Sequence, residues 1–149
     1  MSSYADVPAE SAPVGATLRL AIGRLARRLK QVYAADALTF AETSVLSRLE
    51  REGPSTPTVL AAAEHVRPQA MGATLTALEQ RGLIQRRDDP GDGRRVLVGL
   101  TDAGRQALDA RHKAVTELID RALASGFTPA ECQALAAAIP LLDRLAERL

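Results

Sequence analysis

The stretch Arg86-Arg87-Asp88-Asp89-Pro90-Gly91-Asp92-Gly93-Arg94-Arg95-Val96-Leu97-Val98-Gly99-Leu100 constrains this chain more than any other. Pro90, Gly91 and Gly93 among three aspartates break the chain, and the flanks Leu83 to Arg87 and Arg94 to Leu100 have strand character, so the segment reads as a β-hairpin. A two-stranded ribbon is not stable alone in water. It needs a helical body beside it, and its tip, with Arg86, Arg87, Arg94 and Arg95 against Asp88, Asp89 and Asp92, is too charged to be the buried side. Taken alone, the hairpin fits two readings: a solvated turn of mixed charge, or a basic probe for a polyanion.

The body has the material it needs. Of 149 residues 46% are hydrophobic and 25% charged, which suits one compact domain with a real core. Only 3% are aromatic and tryptophan is absent, so the core must be built from Leu, Ala, Val and Ile, as in helical bundles. A net charge of +1 means that any affinity for a polyanion depends on where the charges sit. Arginine outnumbers lysine 17 to 2, which favours bidentate and phosphate-contacting chemistry, although genomic base composition produces the same bias.

Other classes are disfavoured. A single cysteine excludes an intrachain disulfide, and no apolar run approaches the ~20 residues that span a bilayer. No basic segment followed by an apolar stretch opens the chain, so the expectation is a cytoplasmic protein without membrane contact. His65, His112 and Cys132 fall in separate elements with no paired acid at metal or triad spacing, and there is no Gly-rich phosphate loop. We therefore expect no catalytic centre, no metal and no cofactor. Cys132, near a helix start, reads as a small packed residue or as a thiolate eased by the helix dipole.

Along the chain, residues 1–14 lack any period and read as a flexible tail, with a first helix starting near Gly15. Its apolar positions Leu18, Ile22, Leu25, Leu29 and Val32 form a seam for another helix. Its opposite face carries Arg19, Arg24, Arg27, Arg28 and Lys30, either solvated or set against a phosphate backbone or an acidic partner. Thr39-Phe40-Ala41-Glu42 is a capping box, so a helix runs from about 40 to 52 with Val45, Leu46 and Leu49 inward, until Gly53-Pro54 stops it. Thr56-Pro57 is a second N-cap with proline at the first helical position, opening a short helix to Glu64.

His65-Val66-Arg67-Pro68 is a tight turn, and Gln69 to Arg81 forms the next helix with Met71, Leu75 and Leu78 on its core face and Gly82 as its C-terminal cap. Two such helices joined by so short a turn make a helix-turn-helix. The second offers Pro68, Gln69, Ala70, Gly72, Ala73 and Thr76 on its uncommitted side, small enough for a B-DNA major groove. Gln69 is suited to adenine, Ala70 to a thymine methyl, and the free N–H groups of the helix start to a phosphate. Arg67 and Thr74 are candidates for the phosphate backbone.

Past the hairpin, Thr101 caps a long helix through Leu108, Val115, Leu118, Ile119 and Leu123 to Ser125-Gly126. Thr128-Pro129-Ala130-Glu131 opens a last helix carrying Leu135, Ile139, Leu142, Leu145 and Leu149, which Pro140 should bend or divide. The terminal helices hold more apolar surface than a small domain covers, so a homodimer is the simplest closure.

The order of these parts, together with Asp92-Gly93-Arg94-Arg95 leading to Leu100-Thr101 and Gly104, resembles the MarR family of bacterial winged-helix transcriptional regulators. Val66-Arg67-Pro68-Gln69-Ala70-Met71, continuing through Leu78-Glu79 to Gly82-Leu83-Ile84, is similar to that family's recognition-helix pattern. The resemblance covers about residues 15–149. It implies a mainly α fold with a small β-hairpin wing: a winged helix-turn-helix region at 39–100, and a helical dimerisation region from 15–38 and 101–149. By resemblance, Arg94 enters the minor groove, Asp92 orients it, and Pro68, Gln69 and Ala70 contact bases and phosphates; Arg86, Arg87 and Arg95 read as phosphate contacts or as surface charges.

The resemblance further implies a homodimer on a pseudo-palindromic double-stranded operator, acting mainly as a repressor, and a cleft for a small aromatic or phenolic effector. Tyr33, Phe40 and His112 are candidates for such a cleft or for ordinary packing. His65 stands where many relatives have glycine; if the turn needs a positive φ there, histidine bears it better than a branched residue does. A dimeric small-molecule binder, or a winged helix used for protein contacts without operator binding, is the alternative.

Overall fold

The computed structural model describes residues 12–34 and 38–149. Six helices and one hairpin follow in the order α1 (Ala12–Ala34), α2 (Phe40–Glu52), α3 (Pro57–Ala63), α4 (Pro68–Gln80), β1 (Ile84–Asp89), β2 (Asp92–Leu100), α5 (Asp102–Gly126) and α6 (Pro129–Ala146). The fold is mainly α with a small antiparallel wing. The tail expected at 1–14 falls outside the described residues up to position 11, and at 12–14 it is replaced by helix: α1 begins at Ala12, not near Gly15, because proline is tolerated in a first helical turn.

The chain forms two compact units, one ending at Arg105 and one spanning Gln106–Leu149. In the first, Val45, Leu46 and Leu49 of α2, Leu60 and Ala61 of α3, and Met71, Leu75 and Leu78 of α4 are buried together with Leu83, Ile84 and Val98 of the wing base. The cap chemistry accounts for the helix starts. The Thr39 hydroxyl accepts the Glu42 N–H while the Glu42 carboxylate accepts the Thr39 N–H, and Thr128 and Glu131 repeat this reciprocal arrangement at α6. Thr56 accepts from the Val59 N–H ahead of Pro57.

The end of α4 is a Schellman motif. Gly82, at φ +70°, donates to Glu79 O, and Leu83 donates to Leu78 O across two buried leucines. Thr101 then fastens the wing: its hydroxyl donates to Gly82 O at 2.7 Å and accepts the Gly104 N–H at 3.0 Å, capping α5. Gly104 must lack a side chain here, since a Cβ would stand 2.0 Å from Leu83 O.

In the second unit, α6 has no buried residue; Leu135, Ile139, Leu141 and Leu142 lie exposed. The helix runs through Pro140 without a break, so its two halves are not separate. A proline removes one backbone hydrogen bond, and Ala136, Ala137 and Ala138, strong helix formers, carry the helix up to it. The helix stops at Ala146, leaving Leu149 outside it and exposed. On α1, Leu20, Ile22 and Leu25 are likewise exposed.

Candidate nucleic-acid interface

Two short helices and the wing build the site. The turn between α3 and α4 holds His65 at φ +52°, the one non-glycine residue in the left-handed region among the described residues. That conformation explains why a residue tolerant of positive φ stands there. Pro68 is the first residue of α4, and the N-cap residue Arg67, whose guanidinium has only donors and so cannot cap the helix N–H groups, is exposed. Met71 donates its N–H to Arg67 O, and no acidic residue occupies the first turn. The N-terminal end of α4 therefore keeps its partial positive charge.

Pro68, Gln69 and Ala70 are all exposed there. Thr74 is half-buried, and its hydroxyl donates to Ala70 O at 3.1 Å, so its proton is committed within the helix. Met71, Leu75 and Leu78 face the core, as their spacing requires.

The wing is less regular than an alternating hairpin. Ile84 to Asp88 pair with Leu100 to Val96, but Asp89 pairs with Asp92, so Gly93, Arg94 and Arg95 form a bulge with no cross-strand partner. Bulges re-aim side chains. The aspartates that dilute the basic tip hold this shape: Asp89 Oδ1 accepts the Gly91 N–H at 2.9 Å, and Asp92 Oδ1 accepts the Arg94 N–H at 3.1 Å. Asp92 Oδ2 also lies 3.9 Å from Arg95 Nε. Asp92 thus holds Arg94 through its backbone, leaving the Arg94 guanidinium exposed. Arg86, by contrast, is paired, with Nε 3.2 Å from Glu79 Oε2 on α4.

Several residues that shape the site carry no sequence signal. Ser55, in the loop before α3, exchanges both backbone hydrogen bonds with Val98, at 3.0 and 2.8 Å, which adds a one-residue third strand to the wing. Arg48 on α2 donates to Glu64 Oε1 at 2.7 Å and to Glu52 Oε1 at 2.8 Å, and Ser44 donates to the other Glu64 oxygen. Burial pushes the Glu64 carboxyl up, but the hydrogen bonds from Ser44 and Arg48 and the Arg48 charge outweigh it and hold it below the usual carboxylate range.

Phe40 is exposed and lines a cleft of about 240 Å³ with Val45, Val66, Ala70, Met71 and Thr74. His112 is exposed on α5, and the Tyr33 side chain lies outside the described part of the structure. No group of three or more His, Cys, Asp or Glu side chains suited to a metal occurs among the described residues.

A helix-turn-helix followed by a short hairpin clasped to a long helix is the architecture of a winged helix-turn-helix protein. The chain belongs to the MarR family: that family's profile matches residues 38–96. An HTH-type transcriptional regulator of Mycobacterium bovis is 33% identical over 114 residues, 76% of this chain and 80% of that protein. The HTH-type transcriptional repressor NicR of Pseudomonas putida is 35% identical over 97 residues, 65% of this chain and 61% of that protein. Among solved structures, a transcriptional regulator protein of Pseudomonas aeruginosa superposes with a TM-score of 0.80 at 35% identity, covering 93% of this chain and 96% of that one. Wild-type MarR of E. coli shares the fold, with a TM-score of 0.71 at 23% identity over 93% and 98% of the two chains. The protein is therefore a MarR-family transcriptional regulator.

Proposed function

We propose that the chain is a homodimeric repressor that binds a pseudo-palindromic operator, each protomer setting α4 in a major groove and the wing in the flanking minor groove. The observation that carries this reading is the wing bulge, where Asp92 holds the Arg94 amide and frees its guanidinium. Arginine gains from the enhanced negative potential of a narrow minor groove, so the wing reads groove width more than base identity. Gln69 and Ala70 of α4 read base edges while Arg67, Arg86 and Arg95 face phosphates; Thr74, half-buried with its proton given to Ala70 O, does not take the phosphate role its position suggested.

Residues 39–100 serve as the DNA-binding region, with 15–38 and 101–149 as the dimerisation region. The exposed apolar residues of α1 and α6 support the dimer, because such surface is costly to leave in water. A small aromatic or phenolic effector shifts the spacing of the two α4 helices, provided it prefers one state of the dimer. No helix among the described residues is long and apolar enough to cross a membrane, in keeping with a cytoplasmic regulator.

The test is a gel-shift titration of DNA from upstream of the protein's own gene at several salt concentrations, with sedimentation to fix the stoichiometry. Retardation by a dimer, weakening steeply as salt rises, is the expected result. Absence of any shift at low salt points instead to a winged helix that binds small molecules or proteins.

A further inference from the structure

Gly72 stands in the interior of α4, where glycine weakens a helix relative to alanine. Nothing in the fold asks for it. A Cβ at this position would meet no atom within 4 Å, in contrast to Gly104 against Leu83 O. Nor is its backbone in the left-handed region that Gly53 and Gly82 occupy. Neither crowding nor conformation within the protein accounts for this glycine.

Its place on the helix does suggest a reason. Gly72, Thr76 and Glu79 succeed one another at helical spacing along one flank of α4, beside the core row of Met71, Leu75 and Leu78. At the end of that flank Glu79 pairs with Arg86 of β1, so the flank faces the notch between α4 and the wing. A helix set in a major groove with the wing in the adjoining minor groove has one strand of the duplex running through that notch.

We infer that Gly72 is a close-approach position, at which a sugar-phosphate strand of the bound duplex packs on the bare backbone of α4. The inference rests on the groove assignment proposed above. A methyl group at residue 72 holds the strand away from the helix, and hydrogen bonds from α4 and the wing to its phosphates weaken steeply with the added distance. The contact involves no base edge, so its loss is felt on any sequence.

The experiment pairs stability with binding. Gly72→Ala is compared with the wild type by thermal unfolding, and by titration of two duplexes of equal length, one selected for binding from a random pool and one scrambled. The melting temperature is expected to rise by about 2–5 °C, the scale for a Gly to Ala change in a helix of a domain this size. Affinity for both duplexes is expected to fall about tenfold or more, the scale of one good contact. A higher melting temperature with unchanged affinity overturns the inference. A lower melting temperature does so too, since the glycine is then structural, and a loss confined to the selected duplex assigns the contact to a base edge instead. If the wild type itself binds neither duplex, the groove assignment fails and this inference with it; wild-type binding beside an unaffected Gly72→Ala variant removes the inference alone.

Discussion

Glu42 and Arg81 lie 39 residues apart, and their side chains meet at 3.2 Å on the same carboxylate oxygen that closes the capping box of α2 by accepting the Thr39 N–H at 2.7 Å. The start of α2 is thereby anchored to the end of α4. Arg48 and Glu64 make the matching link from α2 to the end of α3, so α2 grips both helices of the helix-turn-helix through ion pairs. The Glu42 side chain is only 10% exposed, but that of Arg81 is 35% exposed, and solvent screens the pair. A double-mutant cycle of Glu42→Gln and Arg81→Gln, read by urea unfolding, is expected to give a coupling of about 0.5–1 kcal/mol. Glutamine keeps an acceptor for Thr39, so the cycle isolates the ion pair. Simple additivity would show that the contact contributes nothing.

Gly104 is the most sterically restricted glycine of the chain. An added Cβ meets Leu83 O at 2.0 Å and Leu100 Cδ1 at 2.8 Å, and the first of these is backbone, fixed by the Schellman turn and by the Thr101 N–H that donates to it. Gly104→Ala is expected to cost at least about 2 kcal/mol, the upper range for overpacking, because the clasp between wing and α5 must open. Thermal unfolding measures it. A variant as stable as the parent would mean that the clasp is loose.

Glu64 gives the fold a dependence on acid. Its carboxyl is held below the ordinary value of 4.5, so its stabilisation is fully present above the unfolded-state pKa and is lost as pH falls through the folded one. At neutral pH, Glu64→Gln is expected to destabilise the fold by about 1–3 kcal/mol, the scale for hydrogen bonds to a charged group. The gap between parent and variant should shrink as pH drops below the ordinary carboxylate value and through the lowered folded one. Urea midpoints at a series of pH values read this directly, and a gap that stays constant across the range would remove the Arg48 and Ser44 contacts as its origin.

What could be read from sequence was local. Thr39 with Glu42, Thr56 with Pro57, and Thr128 with Glu131 announce helix starts within four residues of chain, and Met71, Leu75 and Leu78 announce a core face by spacing alone. The positive φ at His65 arises only as a condition, through the resemblance that puts glycine at this position in many relatives, and the fold meets it. What escaped depends on partners far along the chain. The register of β2 against β1 decides that Gly93, Arg94 and Arg95 bulge out, and neither strand states that register by itself. Ser55 has no strand pattern around it, and its bridge exists only because α2 and α3 bring it beside Val98. Arg86 was one of four equivalent arginines at a hairpin tip until the fold set Glu79 beside it. Glu42 carried a cap signature that was complete without Arg81, so the sequence held no hint of the second contact.

The separate tasks of wing and helix can be told apart by which DNA feels the loss. Arg94→Ala removes the guanidinium that the bulge frees and leaves the Asp92 contact to the residue 94 amide in place, so the wing keeps its shape. Operator binding is expected to weaken by about 1–3 kcal/mol with the dimer intact by sedimentation. Arg86→Ala, by contrast, removes a charge already paired with Glu79 and is expected to cost less. Gln69→Ala acts on a side chain at the exposed start of α4, and it should relax sequence preference more than it lowers affinity for random DNA. Titrating all three variants against a selected and a scrambled duplex separates these roles. An Arg94→Ala variant that binds the selected duplex like the parent removes the wing from the interface, and equal losses on both duplexes for Gln69→Ala make that residue a phosphate contact.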